Sequence, residues 1–131
     1  MSRDNPNDLR YTKDHEWARL DGNVVTVGIT SFAVHSLGDI TQVELPREGE
    51  TVSQGTVFGS VESVKAVSDL FAPVSGKVVK VNDPLRDSPE TLNEDCYDDG
   101  WMIRIEMSDP SELKKLMDAG AYVQFLDDAE D

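Results

Sequence analysis

The sequence has one cysteine, Cys96, so no disulfide can form within the chain. There is no CxxC and no Cys/His cluster at zinc spacing, and a reducing compartment fits that usage. Histidine is almost as scarce: His15 and His35 are the only two, and neither has a ligand partner at suitable spacing. No metal site is expected. Apolar runs fall far short of the ~20 residues that cross a bilayer. The opening MSRDNPNDLR carries no apolar run and no Arg/Ser-rich amphipathic pattern, as a signal or transit peptide would. The expected location is the cytoplasm of a prokaryote, or the mitochondrial matrix for an already processed eukaryotic chain. Basic residues are few, 12 against 26 acidic ones, for a net charge of −14. Such a surface repels nucleic-acid phosphates and anionic lipids, and is drawn to basic patches on partner proteins. The same charge also serves plain solubility.

What is present suits one domain. The chain has 131 residues, enough to bury a core without metals or disulfides. Residues 1–9 read as a flexible polar tail around Asn5-Pro6-Asn7, and 127–131 as an acidic tail, leaving 10–126 as the folded unit. Glu16 to Leu20 and Val24 to Ile29 flank Asp21-Gly22-Asn23, a strong hairpin signal. Thr30 or Ser31 can cap a short helix through Leu37, ended by Gly38. Ile40 to Leu45, Thr56 to Glu62, Ala66 to Phe71, Lys77 to Val81 and Trp101 to Met107 read as strands. Residues 82–100 read as irregular. Asp109-Pro110-Ser111-Glu112 starts a helical C-terminus, continued by Tyr122, Phe125 and Leu126 at helical spacing. The predicted class is mostly β with short peripheral and C-terminal helices, and the expected state is a monomer.

The informative stretch is Val61-Glu62-Ser63-Val64-Lys65-Ala66-Val67-Ser68-Asp69-Leu70. A lysine sits between two short apolar strands, with Glu62 three positions before it. If these strands form a hairpin, Lys65 is at its tip. A tip lysine has a solvated amine on a flexible four-carbon stem. A modifying enzyme can engulf such a side chain, and a swinging arm built on it can enter other proteins' clefts. A rigid sheet below limits the arm's entropy cost to its own rotors. By pattern alone, a lysine in a turn is most often only a solvated lysine. Neither glycine nor proline marks this tip, and a type I turn tolerates most residues.

Glu62-Ser63-Val64-Lys65-Ala66-Val67-Ser68-Asp69 resembles the lipoylation motif of the glycine cleavage H proteins. Tyr11-Thr12-Lys13-Asp14-His15-Glu16-Trp17 resembles the family's opening strand. Val27-Gly28-Ile29-Thr30 through Leu37-Gly38-Asp39 resembles its first helix region. Ala72-Pro73-Val74-Ser75-Gly76 resembles the segment after the tip, and Ser88-Pro89-Glu90 with Asn93-Glu94-Asp95 and Gly100-Trp101 its long connection. The likeness covers roughly residues 9–126 in one register. Departures are Cys96, where the family usually shows proline, Ser36, where some relatives carry histidine, and the more polar Thr41-Gln42-Val43.

The resemblance implies a flattened barrel-sandwich hybrid of the lipoyl-domain type. It implies lipoate joined by an amide to Lys65, with Glu62 read by the lipoate ligase or lipoyltransferase. Glu16 and Asp69 are similar to acidic residues lining the arm's resting place. The implied role is carriage rather than catalysis. A pyridoxal-phosphate-dependent glycine decarboxylase loads an aminomethyl group on the arm, a folate-dependent aminomethyltransferase unloads it, and dihydrolipoyl dehydrogenase reoxidises the arm. The cofactor and the partners hold the hard chemistry. Alternatives stay open: a relay donating lipoate to other carriers, a biotinyl carrier, or the lipoyl domain of a 2-oxoacid dehydrogenase. Biotin sites typically flank lysine with methionine, unlike Val64 and Ala66. A hydrolase using Cys96 has no supporting motif, because Asp95, Asp98 and Asp99 would raise its thiol pKa.

Overall fold

The structure, a computed structural model, describes residues 8–130. Two antiparallel sheets form its body. The larger runs, in spatial order, β1 (Arg10–Tyr11), β2 (Glu16–Asp21), β3 (Val24–Ile29), β9 (Ile103–Met107), β8 (Gly76–Val81) and β5 (Thr51–Val52). The smaller holds β4 (Ile40–Glu44), β6 (Val57–Ser63) and β7 (Val67–Phe71), with β6 in the centre. Short helices α1 (Ser31–Leu37), α2 (Pro84–Asp87) and α3 (Thr91–Glu94) lie in the connections, and α4 (Ala119–Glu130) ends the fold. Among the described residues no ladder joins the two sheets. The predicted sandwich is therefore present, open rather than closed into a barrel.

The sheets share one core. Ala18, Val27, Ile29 and Ile105 from the larger sheet meet Ile40, Val43, Val61 and Leu70 from the smaller. Each such valine, isoleucine or leucine, once buried, contributes roughly 1.5–3 kcal/mol. Successive residues of a strand point to opposite faces, so the larger sheet needs a second cover. That cover is α4: Leu9, Tyr11, Trp17, Ala119, Tyr122 and Leu126 form a separate cluster on the far face. The Tyr11 and Tyr122 rings stack at 4.6 Å. Neighbours Trp17 and Ala18 thus lie in different cores, which explains why β2 begins with three buried residues in a row.

Local signals set several elements as expected. Gly22 takes φ 62 and joins β2 to β3 with Asp21 opposite Val24. Thr30 caps α1 by accepting from the Ala33 amide, and Gly38 closes it at φ 79. Other elements differ. The expected tail of residues 1–9 lies mostly outside the described residues, but Leu9 is fully buried under α4. Asp127 and Asp128, expected in an acidic tail, belong to α4, which continues to Glu130. The irregular 82–100 stretch contains α2 and α3. Asp109 does cap a helix, but it is a 3-10 turn, Pro110–Lys115. Met117 then pairs with Tyr11 through two backbone hydrogen bonds, an extended contact that separates this turn from α4. The two-residue strands β1 and β5 are too short to carry a periodic signal.

Trp17 lies across Gly28, its cross-strand partner, and its indole N–H donates to the Cys96 carbonyl at 3.0 Å. A Cβ at Gly28 would stand 2.5 Å from the ring. Gly28→Ala is expected to cost about 1–3 kcal/mol by overpacking. It should read as a lower urea midpoint at unchanged slope.

Candidate functional site

The β6–β7 hairpin exists, with Glu62 opposite Val67 and Val64-Lys65-Ala66 as its loop. The missing glycine is explained by Ser63. Its backbone N–H donates to the Ala66 carbonyl at 2.8 Å, which closes the turn. Its hydroxyl oxygen accepts from the amides of Lys65 and Ala66 at 3.3 and 3.1 Å. Ser63 is itself buried. A serine side chain thus does the work of a turn residue, a role its chemistry permits but this sequence does not announce. The tip also leans on the end of α1, because the Val64 amide donates to the Asp39 carbonyl at 3.1 Å.

Lys65 is exposed, and so are Val64, Ala66 and Val67 beside it. Its stem passes over Gly38: a Cβ at that glycine would lie 3.6 Å from the lysine Cε. Beside this point opens a cavity of about 530 Å³ between α1 and α3, lined by Val34, His35, Gly38, Asp39, Asn93 and Tyr97 among others. Asn93 braces it, donating to the Gly38 carbonyl and accepting from the Ile40 amide, both at 2.9 Å. Sequence reasoning missed Ser63, Gly38 and Asn93 as supports of the tip. Only Gly38 carried a signal, as a helix terminator.

The expected acidic residues occupy different settings. Glu62 is exposed on the outer face of the smaller sheet, between Gln42 and Val67. Asp69 is exposed on β7, four residues from Lys65, at most roughly 13 Å along the strand. Glu16 is 1 % exposed and joins the sheets. One carboxylate oxygen accepts from the Thr12 hydroxyl at 2.5 Å, the other from the Phe71 amide on β7 at 3.1 Å. Burial pushes its pKa up to about 7, against the lowering effect of those two hydrogen bonds. Glu16 also lines a smaller, largely apolar cavity of about 210 Å³ with Phe71, Pro73 and Met117, toward the end of β7 away from the tip. Asp14 is exposed on the loop before β2. Cys96 is buried, and His35 is exposed on the wall of the larger cavity. Among the described residues no cluster of His, Cys, Asp or Glu could hold a metal ion, and no helix is long and apolar enough to cross a membrane.

The raised Glu16 pKa has a definite sign. An unfolded carboxyl ionises near 4.5 and the folded one near 7. The stability contributed by neutral Glu16 is therefore full below about 4.5 and lost as pH rises through about 7. Glu16→Gln lacks that loss. Relative to the parent, the variant should gain on the order of 3 kcal/mol between the two ends of this window, measured by urea unfolding across pH.

The family model described as glycine cleavage H-protein matches residues 9–129. The glycine cleavage system H protein of Anaeromyxobacter sp. (strain K) is 61% identical over 125 residues, covering 95% of this chain and 98% of that one. The H protein of Myxococcus xanthus (strain DK1622) is 54% identical over 126 residues, covering 96% and 98%. The crystal structure of a glycine cleavage system H protein from Mycobacterium marinum superposes with a TM-score of 0.84 at 44% identity, covering 91% of this chain and 96% of that one. An exposed lysine at the tip of a braced hairpin, on an open β sandwich, thus comes with relatives of the same name along nearly the whole length, and the chain belongs to the glycine cleavage H-protein family.

Proposed function

We propose that Lys65 carries lipoate in amide linkage and that the chain is the carrier of the glycine cleavage system, not an enzyme on its own. The observation that supports this best is the setting of Lys65: exposed, at a hairpin tip held by Ser63 and by the Asp39 carbonyl, within a family-matched chain. The residues present fit the group. The amine is open to an acylating enzyme, and the tip's bracing comes from backbone and Ser63, so acylation breaks none of the contacts that hold it. When bound, lipoate supplies a disulfide that accepts and releases the one-carbon unit.

The chain's own residues position and shelter that arm. Gly38 leaves the lysine stem free of any side chain beneath it. Glu62, exposed three residues before the lysine, is the residue a lipoate ligase or lipoyltransferase reads. Asp69 offers a carboxylate to a cationic load on the arm, and Glu16 stands behind it as the buried carboxylate that fixes β7. The partners are a pyridoxal-phosphate-dependent glycine decarboxylase, a folate-dependent aminomethyltransferase and dihydrolipoyl dehydrogenase, which the acidic surface would meet through basic patches. The protein works as a soluble cytoplasmic monomer.

Two measurements test this reading. After co-expression with a lipoate ligase, intact mass should show one lipoyl addition on the parent chain and none on Lys65→Ala. That variant should stay within about 0.5 kcal/mol of parental stability, as expected for an exposed residue. Loss of folding in Lys65→Ala, or a biotinyl mass on the parent, would overturn the proposal. Exchanging Lys65 with Val64 should also block modification, since neighbouring side chains leave the strand end in different directions.

A further inference from the structure

We infer that the hydroxyl of Tyr122, on the C-terminal helix, is a positioning group for Lys65, acting through α1; this rests on the reading of Lys65 as the acylated residue. Tyr122 is fully buried, and its hydroxyl stands between two partners. It lies 2.7 Å from His15 Nδ1 and 2.8 Å from the Thr30 hydroxyl. Thr30 is the N-cap of α1 and is also fully buried. Its amide donates to the His15 carbonyl at 2.9 Å, which closes the same circuit through the backbone. His15 holds φ 69, and among the described residues no other non-glycine residue has a positive φ. A β-strand entrance kept in that conformation needs surroundings that over-determine it. The Phe32 and Phe125 rings beside His15 and the Tyr122 hydroxyl supply them.

The opposite end of α1 supports the tip. Seven residues of helix span only about 10 Å, so α1 behaves as a short strut. Gly38 ends it, and the next carbonyl, Asp39, receives the Val64 amide. Lys65 follows directly, with its stem over Gly38. The connection is contiguous: Tyr122 to Thr30, Thr30 along α1 to Asp39, Asp39 to Val64. Asn93 holds Gly38 and Ile40 on either side of Asp39, so a loosened N-cap shifts that carbonyl rather than freeing it. The hairpin then keeps its own Ser63 turn, with a weaker lean on the end of α1. An acylating enzyme would find the lysine in place for a smaller share of the time, and its apparent affinity would fall by that share.

Tyr122→Phe removes the hydroxyl and keeps the ring that stacks on Tyr11. Amide hydrogen exchange by NMR, on the full chain, should show faster exchange at Ala33 and Val64, with the amides of β2 and β3 unchanged. With a lipoate ligase, KM for the variant should rise several-fold and kcat should hold. Thr30→Val cuts the same connection from its other end and should give the same pattern, whereas Thr30→Ser keeps the hydroxyl and should match the parent. The double variant Thr30→Val/Tyr122→Phe should fall short of the sum of the two single effects, because both remove the bond between Tyr122 and Thr30. Unchanged Val64 exchange in both single variants, additive effects in the double, or acceleration spread equally through β2 and β3 would overturn the inference. Failure of the parent to be acylated at Lys65 would instead remove the proposed function, and the exchange pattern would still decide the coupling.

Discussion

The hairpin tip is held by groups other than the lysine it presents. Ser63 donates its amide to the Ala66 carbonyl, its hydroxyl oxygen accepts from the amides of Lys65 and Ala66, and the Asp39 carbonyl accepts from the amide of Val64. All of these bonds use backbone amides, two of them accepted by a buried side chain, and each leaves the lysine side chain uncommitted. A carrier needs that separation of duties. Its reactive arm must be free to enter other surfaces while the peptide beneath keeps one shape, so that entropy is lost only in the arm. Gly38 completes the arrangement by leaving bare backbone where the stem crosses α1.

Behind the tip the fold solves a covering problem. The larger sheet is apolar on both faces at its β1–β2 end, so it takes the smaller sheet on one side and, at that end, α4 on the other. Glu16 spans the first junction, binding the Phe71 amide of β7 from its own place on β2. A buried carboxyl in that position is costly when charged, and its pKa rises toward neutrality as a result. The second junction is aromatic, with Tyr11 and Tyr122 stacked and His15, Phe32 and Phe125 packed at its edge.

Legibility in the sequence followed the range of the forces involved. The Gly22 turn and the Thr30-to-Gly38 helix were readable because cap, turn and terminator are fixed by residues a few positions apart. The hairpin strands were readable from their apolar pattern. The tip was not, since its turn depends on a serine hydroxyl that accepts from the amides two and three residues on, rather than on glycine. Leu9 reads as tail in the sequence because its partners in α4 lie over a hundred residues away. Residues after Asp109 read as helical as far as Leu126, but Met117 is drawn into an extended contact by Tyr11, far off in sequence. For the site, Lys65 stood out only through the resemblance of its surroundings. The same resemblance pointed to Glu16, but burial and its tie to Phe71 come from packing and could not be read from the chain.

A hairpin with exposed valines at its end and a free flank on β7 invites pairing with a second copy of itself. The contact between Glu16 and Phe71 forestalls this. The amide at that end of the strand is already donated inward, so a foreign strand finds one of its docking hydrogens missing. Glu62 and Asp69 add like charges along the same ribbon. Self-association by edge-to-edge growth is thereby opposed along β7 and at its far end, while the loop that precedes it stays open to visitors.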